Sequence, residues 1–419
     1  MPPAVGARWG DGGPEGTGVR VTAAGSGETF RSGYPAGQLR VLALGTITYS
    51  VGRFVLSPLL PIIIDDLEIS ASMAGLSLTV MFGLGSLARY PSGRLSDTLS
   101  RKTVLVASLA TLVAGFGLLS TATSYPTFLL SLVAIGLGAG MYQPPVIATL
   151  SDLFETRQGQ ALGINNSSIY VAGTVAALLA VFAVGLDTWR GFFLPLAGVL
   201  LLVLLATHLR NREPYALFRP TLELRRTGSR LVANRSIRRQ LLLASLFAFA
   251  WQGTIGFLPT FLQVEKGFDP AAASSAFAAL FSVGIFANLL GGRFADSFGA
   301  SRVVVSISAI ATVGLGAVLV ARTPATTVAS IAVLSVGLAG FWPVMQTYIM
   351  ELVPEDTKAG DYGAFSTVYI GVGSLGPTYV GLVADAANYR VAFAGLVICL
   401  ALGSLSAVVL RHRGPSEER

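Results

Sequence analysis

Gly93-Arg94-Leu95-Ser96-Asp97-Thr98-Leu99-Ser100-Arg101-Lys102 recurs 199 positions later as Gly292-Arg293-Phe294-Ala295-Asp296-Ser297-Phe298-Gly299. Each copy is a short polar turn between two long apolar runs. Working outward, other pairs keep nearly the same offset. Glu155 to Gly163 lies 200 positions before Glu355 to Gly363, and Trp189-Arg190 with Phe193 lies 200 before Tyr389-Arg390 with Phe393. Gly140-Met141-Tyr142 likewise matches Gly340-Phe341-Trp342. So constant an offset over four separate segments marks an internal duplication.

The 419 residues are 53% apolar and only 12% charged, about half the charge of an ordinary soluble domain. A single soluble core is ruled out. The charges cluster in the first 40 residues, near 94–102, across 208–240 and at the C-terminus. Between them the apolar runs are long enough for the roughly 20 residues that cross a ~30 Å hydrocarbon layer. Dividing the runs at Pro, Gly and charge clusters predicts twelve spans: 39–64, 73–95, 103–121, 127–149, 161–185, 191–209, 239–263, 271–292, 302–321, 327–349, 362–384 and 389–410.

The expected chain is therefore an all-α membrane protein with two pseudo-symmetric six-helix bundles, 39–209 and 239–410. Residues 1–38, Gly-rich and without an apolar signal segment, read as a disordered N-terminal tail; 210–238 is a basic linker and 411–419 a short tail. Lys and Arg gather on one side, including nine arginines between Arg210 and Arg239. Only Arg190, Lys266, Arg322 and Arg390 fall opposite. Basic loops stay cytoplasmic, which predicts both termini inside a plasma (inner) membrane crossed many times. The arginines of the linker suit anionic lipid headgroups better than nucleic acid.

The turn at Gly93–Lys102 resembles the Gly-x-Leu-x-Asp-x-x-Gly-Arg-Lys loop of the major facilitator superfamily, with Ser100 where that family has glycine. The second copy keeps the later glycine, Gly299, and loses the basic pair. The resemblance extends over nearly all of Leu39 to Leu410. It implies two rocking bundles and a conformational latch built from Gly93, Asp97, Arg101, Lys102, Gly292 and Asp296. The bare reading of the same turn is topogenic, with Gly93 allowing close packing and Asp97 facing helix N-termini. Gly136-Leu137-Gly138-Ala139-Gly140 has the glycines of the fourth helix of the superfamily's drug exporters and lacks their arginine. Those glycines lie within a span and no Lys follows, so they read as helix-packing positions and not as a phosphate loop.

A charge at mid-membrane depth costs a few kcal/mol or more and is a functional candidate by default. Arg53 qualifies. It shares one face of the first helix with Thr46, Tyr49, Ser50 and Ser57, at spacings of three and four. Two readings stay open: Arg53 binds a substrate carboxylate through charge-assisted hydrogen bonds, or it is tied to backbone carbonyls or to Asp65 or Asp66. Arg89 and Pro91 are assigned to the end of the second span. The expected substrate-binding set is Arg53, Tyr49, Ser57, Tyr142, Gln143, Asn166, Gln252, Trp342 and Gln346; Asn165, Tyr170, Asn288 and Tyr369 are further polar candidates.

No Asp or Glu falls clearly inside a predicted span, and no His, Asp, Glu, Cys and Ser groups converge as an enzyme would require. Cys399 is the sole cysteine, and His208 and His412 flank their spans. No enzyme activity, metal or cofactor is expected. The reading is a monomeric transporter of a small organic solute, leaning to an anion or zwitterion, working by alternating access with or without a proton or other coupling ion. An exporter of amphiphilic or drug-like compounds is the alternative within transport, and a solute-sensing receptor on the same scaffold is the alternative outside it.

Overall fold

The computed structural model describes residues 30–98, 100–183, 189–215, 235–350 and 358–412. Residues 1–29, most of the basic linker, the last residues of the C-terminal tail and the Asp97 side chain lie outside the described residues. Eleven helices are long and apolar enough to cross a membrane, and a bent pair makes a twelfth. The first helix is that pair, Gly33–Phe54 and Leu56–Asp66. The second to sixth are Ala71–Thr98, Arg101–Leu119, Tyr125–Leu153, Gln158–Ala183 and Phe193–Arg210, the last led by a 3-10 turn over Trp189–Phe192. The seventh to tenth are Arg235–Lys266, Pro270–Phe298, Ala300–Val320 and Pro324–Met350. The eleventh comprises Lys358–Gly373 and Leu375–Ala386, and the twelfth is Tyr389–His412. The first helix starts at Gly33, inside the stretch 1–38 expected as tail.

Prolines shape this bundle in a way that hydropathy does not reveal. A helical proline lacks an N–H and pushes against the carbonyl four residues earlier. Pro58 and Pro377 both have the break in their helix near that point, at Val55 and Ser374, and the first helix bends there by 41°. At three other prolines, Pro145, Pro259 and Pro343, the helix continues and a neighbouring side chain takes up the freed carbonyl, as apolar surroundings favour. Ser57 donates to Ile255 O at 2.6 Å, the carbonyl that Pro259 cannot bond, and to Gly256 O at 3.0 Å. Ser92 donates to Met141 O at 2.7 Å, four residues before Pro145. Asn288 donates to Ala339 O at 3.2 Å, four before Pro343.

Glycines set how near the helices come. A Cβ on Gly136 would stand 2.4 Å from Met81 O, and one on Gly140 would stand 2.2 Å from Gly85 O, so the second and fourth helices touch through backbone. Gly138 faces the third helix at Leu112. The duplicated turn repeats its packing, since Gly93 meets Pro144 Cβ and Gly292 meets Pro343 Cβ at 3.8 and 3.9 Å from the added Cβ. The departure at Ser100 is also explained. Its φ is −118° and its hydroxyl caps the third helix by accepting from Thr103 N–H at 3.2 Å. Gly299 sits at φ +86°, where glycine is favoured.

The two bundles meet along the second and eleventh helices and along the fifth and eighth. Thr378 Oγ1 donates to Thr79 Oγ1 at 2.7 Å, Ser86 donates to Thr367 O at 2.6 Å, and Phe281 lies flat on Gly173. At the end away from the described chain termini, Asp385 accepts the first backbone N–H groups of the second helix, Ala71 at 3.1 Å and Ser72 at 2.8 Å. A carboxylate there meets unpaired N–H groups and the positive end of the helix dipole. Asp385 lies in the last turn of the eleventh helix, one residue past the predicted span. This carboxylate therefore fastens one bundle to the other. Asp385→Ala is expected to weaken that closure by about 1 kcal/mol, a roughly fivefold population shift toward the form open at this end. Faster thiol labelling of a cysteine placed at Ser72 would report it; an unchanged rate would mean that the cap contributes nothing to closure.

Candidate functional site

A cavity of about 330 Å³ lies between the bundles, lined by residues of helices one, two, four, five, seven, eight, ten and eleven. Arg53 forms part of its wall. The guanidinium carbon stands 5.1 Å from the Phe82 ring centroid and 6.0 Å from that of Tyr49, and Nε is buried with no hydrogen-bond partner. The alternative pairing with Asp66 is not formed. Asp66 instead accepts from Arg190 Nη1 at 3.2 Å and from Trp189 Nε1 at 3.2 Å.

Arg89 lines the same cavity and repels Arg53. Sequence reading assigned it to the end of a span, but the second helix continues to Thr98, nine residues further on, or roughly 13 Å at 1.5 Å per residue. Its signal was available, because Phe82, Ser86 and Arg89 fall on one face at helical spacing. No Asp or Glu lines the cavity among the described residues.

Six of the nine expected substrate contacts are brought together on the wall: Arg53, Tyr49, Asn166, Gln252, Trp342 and Gln346. The other three are outside it. Ser57 is spent on the carbonyl freed by Pro259, as described above. Tyr142 is buried and its hydroxyl donates to Leu42 O at 2.9 Å through the gap left by Gly45. Gln143 stands one layer behind the wall and donates to the Tyr49 hydroxyl at 2.6 Å. Behind it, Asn165 donates to Gln143 Oε1 at 3.5 Å and accepts from Thr46 at 2.9 Å. This buried chain holds Tyr49 by its oxygen.

The opposite wall is aromatic. Trp342 stacks on Tyr369 at 5.2 Å and 22°, and meets Trp251 edge to face at 6.4 Å. Phe247 and Phe341 back this group, with Phe247 edge-on to Trp342 at 6.0 Å. Gln252 donates to Ile370 O at 3.1 Å, leaving its Oε1 buried and unmatched. Asn288 also donates to the Tyr170 hydroxyl at 3.3 Å, joining the eighth helix to the fifth.

In this conformation the basic pair of the turn acts within the first bundle. Arg101 forms an ion pair with Asp152 at the end of the fourth helix, and Lys102 Nζ donates to Asn211 O at 2.8 Å after the sixth. Asp296 is exposed. At the opposite end the duplication reappears: Arg190 donates to Ala122 O, while Arg390 donates to Leu319 O at 3.4 Å and its N–H reaches Glu265 at 3.3 Å.

The sequence model of the Major Facilitator Superfamily matches residues 42–289 and 241–419. Among curated proteins, an uncharacterized MFS-type transporter of Bacillus subtilis, YceJ, is 26% identical over 64% of this chain and 69% of its own length. A probable nitrate transporter of Staphylococcus aureus, NarT, is 22% identical over 89% of this chain and 96% of its own. Among solved structures, a bacterial homolog of the human lysosomal transporter Spinster, in an inward-facing occupied conformation, superposes with a TM-score of 0.79 at 18% identity, covering 91% of this chain and 98% of that one. The nucleoside transporter NupG superposes with a TM-score of 0.70. Two duplicated six-helix halves, a cavity at their interface and these matches lead to one conclusion: the chain belongs to the Major Facilitator Superfamily and is a multi-pass transmembrane transporter.

Proposed function

We propose that this transporter moves a small organic anion by alternating access, with Arg53 as its anchor. The observation that carries the proposal is a guanidinium whose Nε has no hydrogen-bond partner, set in the inter-bundle cavity. The guanidinium is partly buried against the Phe82 ring, and an anionic group arriving in the cavity would give it charge-assisted hydrogen bonds that the protein does not supply to Nε. Arg89 adds a second positive charge and no carboxylate lines the cavity among the described residues, which favours an anion over a zwitterion carrying an ammonium. The Tyr49 hydroxyl, held from behind by Gln143, supplies a neutral polar group next to Arg53.

The excess of basic residues around the termini and the linker supports a cytoplasmic location for both ends in a plasma membrane. On that orientation, the end fastened by Asp385 faces outward and the cavity belongs to an inward-facing form. The cluster of Gly93, Asp97, Arg101, Lys102, Gly292 and Asp296 then serves as the latch of the reverse form, with Arg101 and Lys102 exchanging their present partners as the bundles rock.

Arg53→Gln tests the anion reading, because it keeps the length and a donor and removes the charge. In proteoliposomes, the apparent affinity for transported anions should fall about ten- to hundredfold, the range for one charged hydrogen bond or two. Unchanged flux of every anion that the wild-type protein carries would dismiss it. A protein that binds solute without net flux would be a sensor on this scaffold instead.

A further inference from the structure

We propose that the substrate is an aromatic carboxylate, whose acid group meets Arg53 and Arg89 on one bundle while its ring lies against Trp251 and Trp342 on the other. This rests on the anion reading above and extends it to the body of the substrate. Eight of the 26 lining residues are aromatic, against 9% of the whole chain, so the enrichment is about threefold and belongs to the cavity. Its distribution matters as much as its size. Both cations are on the first bundle, on helices one and two, and both tryptophans are on the second bundle, on helices seven and ten. The cavity is therefore polarised in charge and in its indoles, although its eight aromatic residues divide evenly, four on each bundle.

The aromatic wall is fixed before any ligand arrives. Trp342 is held between its stacking partner Tyr369 and its edge-on neighbours Trp251, Phe247 and Phe341. Such preset rings favour another ring, in offset or edge-to-face geometry, over a saturated body of equal size. The volume of about 330 Å³ is near the low end of small-molecule sites and suits an acid of one or two rings. Because a ligand of this shape touches both bundles, it links the charge on one to the stacking wall on the other.

The test uses the purified full chain and four probes: phenylacetate, cyclohexylacetate, 2-phenylethanol and nitrate. Two of the four tryptophans line the cavity, so intrinsic fluorescence reads occupancy, with calorimetry as an independent measure. Phenylacetate should bind about three- to tenfold tighter than cyclohexylacetate, and 2-phenylethanol should bind more weakly than either acid. Trp342→Leu should remove the preference for the phenyl ring while cyclohexylacetate still binds; Trp251→Leu should do the same if Trp342→Leu does not fold. Arg53→Gln should weaken both acids together. Equal binding of the two acids, with both weakened by Arg53→Gln, overturns the aromatic assignment and leaves the anion reading standing. Binding of nitrate but of neither acid does the same. Binding of 2-phenylethanol as tight as phenylacetate and indifferent to Arg53→Gln overturns both, and so does failure of all four probes to bind at millimolar concentration.

Discussion

Gly381→Val is expected to abolish turnover while the protein stays folded. Gly381, in the second half of the eleventh helix, faces the start of the second helix so closely that a Cβ would lie 2.3 Å from Ala71 O and 2.9 Å from Ser72 Cα. Those are backbone atoms and cannot rotate away. Gly75 makes the reciprocal approach, with Pro377 O 2.3 Å from its added Cβ. Overpacking typically costs about 1–3 kcal/mol and occasionally more, and a clash against backbone belongs at the upper end, where about 2.7 kcal/mol turns an even two-state balance into 99:1. Under the proposed alternating access the contact joins two bodies that separate, so the clash is relieved by parting them. The variant should be held open at the Asp385 end. Ser57→Cys, in a Cys399→Ser background, measures this: Ser57 is buried at 3% exposure, and its labelling should become fast when Gly381 is replaced. A large loss of melting temperature with no change in labelling would mean that this interface belongs to the folding core.

Gly136→Val should destabilise the fold severely. The steric conflict is alike, an added Cβ 2.4 Å from Met81 O and 3.0 Å from Met81 Cα. The outcome differs because the second and fourth helices belong to one bundle, which has no second arrangement in which they stand apart. Relief requires distorting the bundle itself, at about 1–3 kcal/mol and occasionally more, a large part of a stability of about 5–15 kcal/mol typical of folded proteins. Gel filtration and thermal melting in detergent would detect the loss. A monodisperse variant melting like the wild type would show that the helices can shift by ångströms within the bundle. Together the two substitutions separate glycines that permit folding from glycines that permit closure.

Much of this architecture is legible in the sequence, for a physical reason. Hydrocarbon imposes length and apolarity on every span, so twelve spans follow from hydropathy, and the duplicated turn and matched aromatic positions give the two halves. Arg53 is legible as well, because a lone charge amid apolar residues has no topological use. What is not legible depends on partners far along the chain. Ser57 and Tyr49 lie on one face of one helix, yet the first bonds a carbonyl freed by Pro259 and the second lines the cavity. Arg89 was hidden by Pro91, which suggests a helix end where the helix in fact continues to Thr98. Asp385 was hidden by lying one residue beyond the predicted span, where a carboxylate reads as solvated until the N-terminus of the second helix is found against it.

The bond from Ser57 to Ile255 O and Gly256 O crosses from one bundle to the other, and so it cannot survive the opening of that end. The two carbonyls and the hydroxyl must then be wetted, and the water must leave again when the end closes. Under the proposed alternating access, transport is accordingly coupled to an exchange of hydration, in which one end of the pathway dries as the other fills. Excluded osmolytes, which favour states with less wetted surface, act on such a carrier as regulators of which way it faces.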